Sequence, residues 1–128
     1  MTIVVFEEPQ CELLAPITLA RLTATITCGS YRLVDFLGLL SDDVFGISRP
    51  HLQAIQRIDF PVLKSLESES SGIAEDRNIT LLLNARVAPT ASNLATLEAL
   101  IEQVSQASGP VPPAVVMDRE HVAAGILP

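Results

Sequence analysis

The chain has no tryptophan, one tyrosine and four phenylalanines in 128 residues. Its core must therefore come from Leu, Ile, Val and Ala, and a row of aromatic platforms for stacking single-stranded nucleic acid is not expected. Basic residues are also scarce: eight Lys plus Arg stand against fifteen Asp plus Glu, a formal net charge of −7. A surface of that sign repels phosphate backbones, which argues against general nucleic-acid binding but leaves room for one local basic pocket. Cysteine is limited to Cys11 and Cys28, and histidine to His51 and His121. They form no CxxC pair and no His cluster, so a structural zinc site, which takes about four such ligands, is not expected. Two reduced thiols are expected in preference to a disulfide. The N-terminus lacks the basic start and long apolar run of a signal peptide, and no apolar stretch approaches the roughly 20 residues of a membrane span. The chain reads as soluble and cytoplasmic, with no membrane partner.

What is abundant is aliphatic: 48% of residues are hydrophobic and 18% charged. That balance predicts one folded domain, residues 1–128, with a single core. Ile3-Val4-Val5-Phe6 is a short β-branched run ended by Glu7-Glu8-Pro9, the pattern of a strand buried on both faces in a parallel sheet. Leu22, Ala24 and Ile26 alternate with threonines, which predicts an extended stretch within the long connector 10–30. Cys28-Gly29-Ser30 reads as a turn, with Ser30 capping a helix over 31–40 that turns Leu33, Phe36, Leu37 and Leu40 inward. Ser41-Asp42-Asp43 and Gly46 read as breakers. A turn or short helix starts at Ser48-Arg49-Pro50, with Leu52, Ile55 and Ile58 inward. Residues 67–78 are polar and predict an exposed loop.

Ile79-Thr80-Leu81-Leu82-Leu83-Asn84 predicts a second buried strand, followed by a helix over 91–105 with Leu94, Leu97, Leu100, Ile101 and Val104 on one face. A strand, short loop and helix of this kind is half of a βαβ unit. The Gly109-Pro110-Val111-Pro112-Pro113 run predicts a stiff linker. Two apolar runs around Asp118-Arg119-Glu120 then read as a hairpin. Because the chain stops at Pro128 directly after an apolar run, further sequence downstream is expected, or a homo-oligomer covering the open edge.

Two stretches resemble a known family. Glu12-Leu13-Leu14-Ala15-Pro16-Ile17-Thr18-Leu19-Ala20-Arg21 with Cys28-Gly29-Ser30-Tyr31-Arg32-Leu33, and Leu82-Leu83-Asn84-Ala85-Arg86-Val87-Ala88-Pro89-Thr90, are similar to signatures of sugar nucleotidyltransferases related to N-acetylglucosamine-1-phosphate uridyltransferase. Asp118-Arg119-Glu120-His121-Val122-Ala123-Ala124 resembles a hairpin of the same family. The resemblance implies a Rossmann-like α/β fold, a mostly parallel sheet with flanking helices and a C-terminal hairpin. It implies the truncated, N-terminal part of a nucleotidyltransferase-like domain, without the family's C-terminal β-helix region. The implied partners are a nucleoside triphosphate or a nucleotide sugar, with Mg²⁺ as the cofactor of a complete member.

Two departures bear on activity. Catalytic members carry a Gly-x-Gly-x-Arg loop after the first strand to hold the triphosphate; here that place is Glu7-Glu8-Pro9-Gln10-Cys11, without glycine and with two acids. Where they carry Gly-Asp, whose Asp binds magnesium, this chain has Ala85-Arg86, and a cation cannot replace a metal-binding carboxylate. The expectation is a domain incomplete or inactive alone, or a non-catalytic nucleotide-sugar-binding or partner-binding module. No catalytic residue and no metal ligand is nominated. The candidate site residues are Arg21, Gly29, Asn84 and Arg86. Arg86 is read as a phosphate ligand or a structural arginine, Asn84 as a base or ribose contact or a turn former. Arg21 is read as a ligand contact or a surface ion pair, and Gly29 as a supplier of positive φ, with close ligand approach secondary. Glu7-Glu8 and Asp42-Asp43 read as solvated loop carboxylates.

Overall fold

Ile3, Val4 and Val5 are consecutive buried residues, and in the computed structural model, which describes residues 1–66, 79–106 and 113–127, they form the centre of strand β1 (Thr2–Phe6). The chain continues through a 3-10 turn at Pro9–Leu14, a second at Thr23–Thr25, and the two-residue strands β2 (Thr27–Cys28) and β3 (Tyr31–Arg32). Helix α1 (Leu33–Leu40), strand β4 (Val44–Ile47), helix α2 (Gln53–Asp59) and strand β5 (Lys64–Ser65) follow. The second half supplies strand β6 (Thr80–Asn84), helix α3 (Ala91–Ser105) and the hairpin strands β7 (Ala114–Asp118) and β8 (His121–Leu127).

Among the described residues β1 lies inside a six-stranded sheet of order β5-β4-β1-β6-β8-β7. The β5, β4, β1 and β6 strands run parallel, whereas β8 and β7 are antiparallel additions. Ile3 stands level with Leu81 and Ile126, and Val5 with Leu83 and Ala124, so these side chains share one face. They join Leu33, Leu37, Leu52 and Leu97 from the helices in one core. Each fully buried aliphatic side chain of this kind contributes about 1.5–3 kcal/mol. The α/β class, the mostly parallel sheet, the closing hairpin and the bounds of α3 agree with the expectation from sequence. Thr90 caps α3 by accepting a hydrogen bond from the Asn93 amide at 3.2 Å.

Several local expectations are corrected. Leu22 and Ala24 are buried, but the segment between them and Ile26 is a 3-10 turn, because the Thr25 hydroxyl and amide both turn back to the Leu22 carbonyl. Helix α1 begins at Leu33, and Ser30 does not cap it; Asp35 accepts from the Arg32 amide at 3.1 Å and from the Arg32 guanidinium. Gly46 is no breaker but a residue of β4. A Cβ there would lie 2.8 Å from Gln56 Nε2. Gln56 is the buried polar residue of α2 and donates to the Gly46 and Leu63 carbonyls, which turns Ile58 outward to 77% exposure. Cys11 is buried, Cys28 exposed, and both are free. The polar stretch 67–78 and the linker residues 108–112 lie outside the described residues. No helix among the described residues is long and apolar enough to cross a membrane.

Candidate functional site

After β1 the chain moves through α1 to β4 on one side and on to β5, whereas β6 pairs with the other side of β1. The carboxyl ends of β1 and β6 therefore border a topological switch point, where open α/β sheets form a ligand crevice. The residues that leave these two ends are Glu7 and Glu8 after β1, and Ala85 and Arg86 after β6. The Ala85 amide bonds to the Phe6 carbonyl at 2.9 Å and the Glu7 amide to the Ile47 carbonyl at 3.0 Å, which hold the three strand ends together.

Glu7 turns towards the connector. One carboxylate oxygen accepts from the Thr23 amide at 2.6 Å and hydroxyl at 2.8 Å, and the other from the Arg49 amide at 3.1 Å and Nε at 3.0 Å. Arg49 Nη2 donates further to the Thr18 and Arg21 carbonyls, at 2.7 and 3.1 Å. Burial pushes the Glu7 carboxyl up, but the hydrogen bonds from Arg49 and Thr23 outweigh it and hold the group below the ordinary glutamate value. This is a latch that fixes the connector over the strand ends.

Glu8 turns the other way, towards β6 and β8. Its Oε1 lies 3.0 Å from Arg86 Nη1 and accepts from Asn84 Nδ2 at 2.9 Å, and its Oε2 lies 4.0 Å from His121 Nδ1. Asn84 is buried; its amide also donates to the Val122 carbonyl, and its Oδ1 accepts from the Arg86 amide at 3.0 Å. Asn84 thus forms the turn that carries Arg86 and at the same time binds the carboxylate. Beside this cluster a cleft of about 410 Å³ opens between α3 and the β7–β8 hairpin. Its walls are largely aliphatic, with Leu97, Leu100 and Val116 among them, and Asn84, Arg86, Asp118 and His121 are among its polar lining residues.

Of the residues singled out from sequence, Asn84 and Arg86 meet at this cleft, and Arg21 and Gly29 do not line it. Arg21 is exposed and contributes its carbonyl to the latch. Gly29 sits in the turn between β2 and β3 at φ +68°, with nothing within 4 Å of a Cβ position, so the turn alone accounts for it. Sequence reasoning missed Glu8, Glu7, Arg49 and His121. The signal for the acids was present, two adjacent carboxylates at the end of the first strand, but nothing local marked their partners.

A family model described as sugar nucleotidyl transferase matches residues 3–126. The chain belongs to that family. No curated protein and no solved structure matches it. Family membership raises the question of a magnesium site, and the donor set here does not fit one. At the strand end stands a guanidinium, and the nearest carboxylate, Glu8, is already engaged by Arg86 and Asn84. Among the described residues no group of three or more His, Cys, Asp or Glu could hold a metal ion. A hard divalent cation takes several oxygen ligands, commonly including carboxylates.

Proposed function

We propose that this sugar nucleotidyltransferase-family domain, of the branch related to N-acetylglucosamine-1-phosphate uridyltransferase, binds a sugar phosphate or nucleotide sugar at the switch-point crevice without carrying out the transfer alone. The observation that carries this reading is the pairing of Arg86 with Glu8 at the ends of β6 and β1. Joining a sugar phosphate to the α-phosphorus of a nucleoside triphosphate requires neutralisation of several negative charges and in-line positioning. Arg86 supplies one permanent positive charge and a planar fork suited to a phosphate, and Glu8 offsets much of that charge. The aliphatic cleft beside it suits the less polar face of a sugar or base. This balance supports recognition over turnover. The reading in which the chain contributes to catalysis requires a metal-binding carboxylate from outside the Glu8–Asn84–Arg86 cluster.

Titration of the ¹⁵N-labelled protein with UTP and UDP-N-acetylglucosamine, with and without Mg²⁺, tests the proposal. Saturable shifts centred on Asn84, Arg86 and His121 are expected, unchanged by Mg²⁺. A spectrum that neither compound perturbs removes the ligand assignment, and release of pyrophosphate from UTP and a sugar 1-phosphate removes the non-catalytic one.

A further inference from the structure

An amide and a guanidinium at the exit of β6 converge on a single carboxylate that the protein itself supplies, with an imidazole of β8 farther off. Asn84 Nδ2 stands 2.9 Å and Arg86 Nη1 3.0 Å from Glu8 Oε1, while His121 Nδ1 faces Oε2 at 4.0 Å. Asn84 is 3% exposed and is held rigid by the Val122 carbonyl and the Arg86 amide, so this donor does not depend on Glu8 for its position. Asn84 and Arg86 thus hold an anionic group, the Glu8 carboxylate, at the exit of β6. Glu8 is not built in as firmly as its neighbour: its side chain is 16% exposed against 3% for Glu7, and its cationic partner is 28% exposed against 15% for Arg49.

We propose that Asn84, Arg86 and His121 form a phosphate receptor whose resident occupant is Glu8, so that a ligand phosphate binds by displacing that carboxylate. The inference rests on the reading that the crevice takes a phosphorylated ligand, and it narrows the class. Among the described residues Arg86 is the one Lys or Arg lining the cleft, and Asp118 lines it too. A metal-free triphosphate would face too little positive charge there, whereas one phosphate monoester, as in a sugar 1-phosphate or nucleoside monophosphate, matches a single guanidinium and a buried amide. Displacement carries a cost, because the apparent affinity falls with the fraction of molecules in which Arg86 is free.

The experiment is a calorimetric titration of the full chain with glucose 1-phosphate, with metal-free UTP as the comparison, for wild type, Glu8→Gln and Glu8→Gln/Arg86→Met. Glu8→Gln keeps an acceptor for Asn84 but removes the competing charge, and it should bind glucose 1-phosphate roughly tenfold more tightly than wild type. Adding Arg86→Met should abolish that binding, and UTP should bind more weakly than the monoester. In ¹³C-labelled wild type, the Glu8 carboxyl resonance should move as glucose 1-phosphate saturates, a readout that needs no variant. Equal or weaker binding by Glu8→Gln, or a Glu8 resonance that stays still while the ligand binds, overturns the displacement and leaves the crevice reading standing. If neither wild type nor Glu8→Gln binds glucose 1-phosphate or UTP, both readings fall together.

Discussion

The Glu7 side chain is 3% exposed and accepts four hydrogen bonds, two from Thr23 and two from Arg49. Glu8, one residue on, is 16% exposed and meets Arg86, Asn84 and the more distant His121. Successive side chains leaving a strand point to opposite sides, and that alternation sends one carboxylate under the connector and the other to Asn84 and Arg86, which line the cleft. In the first site both carboxylate oxygens accept two hydrogen bonds each, and Arg49 is tied further to the connector carbonyls of Thr18 and Arg21. In the second, the same carboxylate chemistry meets two residues that line the cleft, with a half-exposed histidine farther off. A pair of adjacent acids can thus divide into a structural latch and a polar cluster beside a cleft with no change of residue type.

Breaking the latch is the harshest test of this division. Glu7→Ala leaves the Arg49 guanidinium, whose side chain is 15% exposed, without its carboxylate. Removing one member of a buried pair costs about 3–5 kcal/mol, because the remaining charge is stranded. Urea unfolding of the variant should show a loss of that order; a loss below about 1 kcal/mol, the worth of a surface pair, would make the latch no more than a solvated contact.

Acid sharpens the same comparison. The folded-state value of Glu7 is depressed, so its contribution is fully present above the unfolded glutamate value, about pH 4.3, and is lost as pH falls through the lower folded value. Asp35 and Asp43 are also held low, chiefly by their hydrogen bonds to Arg32 and Lys64, so wild type alone cannot isolate Glu7. The stability gap between wild type and Glu7→Gln can, since the aspartates act equally in both. That gap should be constant from neutral pH to about pH 5 and shrink below about pH 4. A gap that widens on acidification would contradict the assignment.

What the sequence made legible follows the range of the interactions concerned. The α3 helix was readable to its ends because its cap, Thr90, and its core stripe lie within one segment. Strands β1 and β6 were readable because burial on both sides leaves an unbroken aliphatic run. Strand β4 was not, since Val44-Phe45-Gly46-Ile47 carries a glycine whose reason, the Gln56 side chain, lies on another element. The inward face of α2 was misjudged for the same cause: a buried glutamine that bonds β4 and Leu63 looks polar in the sequence, and Ile58 looks apolar. At the site, Asn84 and Arg86 were legible as the exit of a strand. The latch was not, because 42 positions separate Glu7 from Arg49, and no local pattern distinguishes an acid with a distant partner from a solvated one.

The smallest effect should be that of Glu8→Gln on stability, and it completes the comparison. Its carbonyl can still accept from Asn84, and Arg86, at 28% exposure, can regain water when the charge opposite it is lost. The expected change is within about 1 kcal/mol, the range of partly exposed ion pairs. If instead Glu8→Gln destabilised the fold as much as Glu7→Ala, Glu8 would be a second latch and could not leave Arg86 for a ligand. A near-neutral result means that the cluster at the cleft adds little to the fold, which is the condition a displaceable carboxylate must meet.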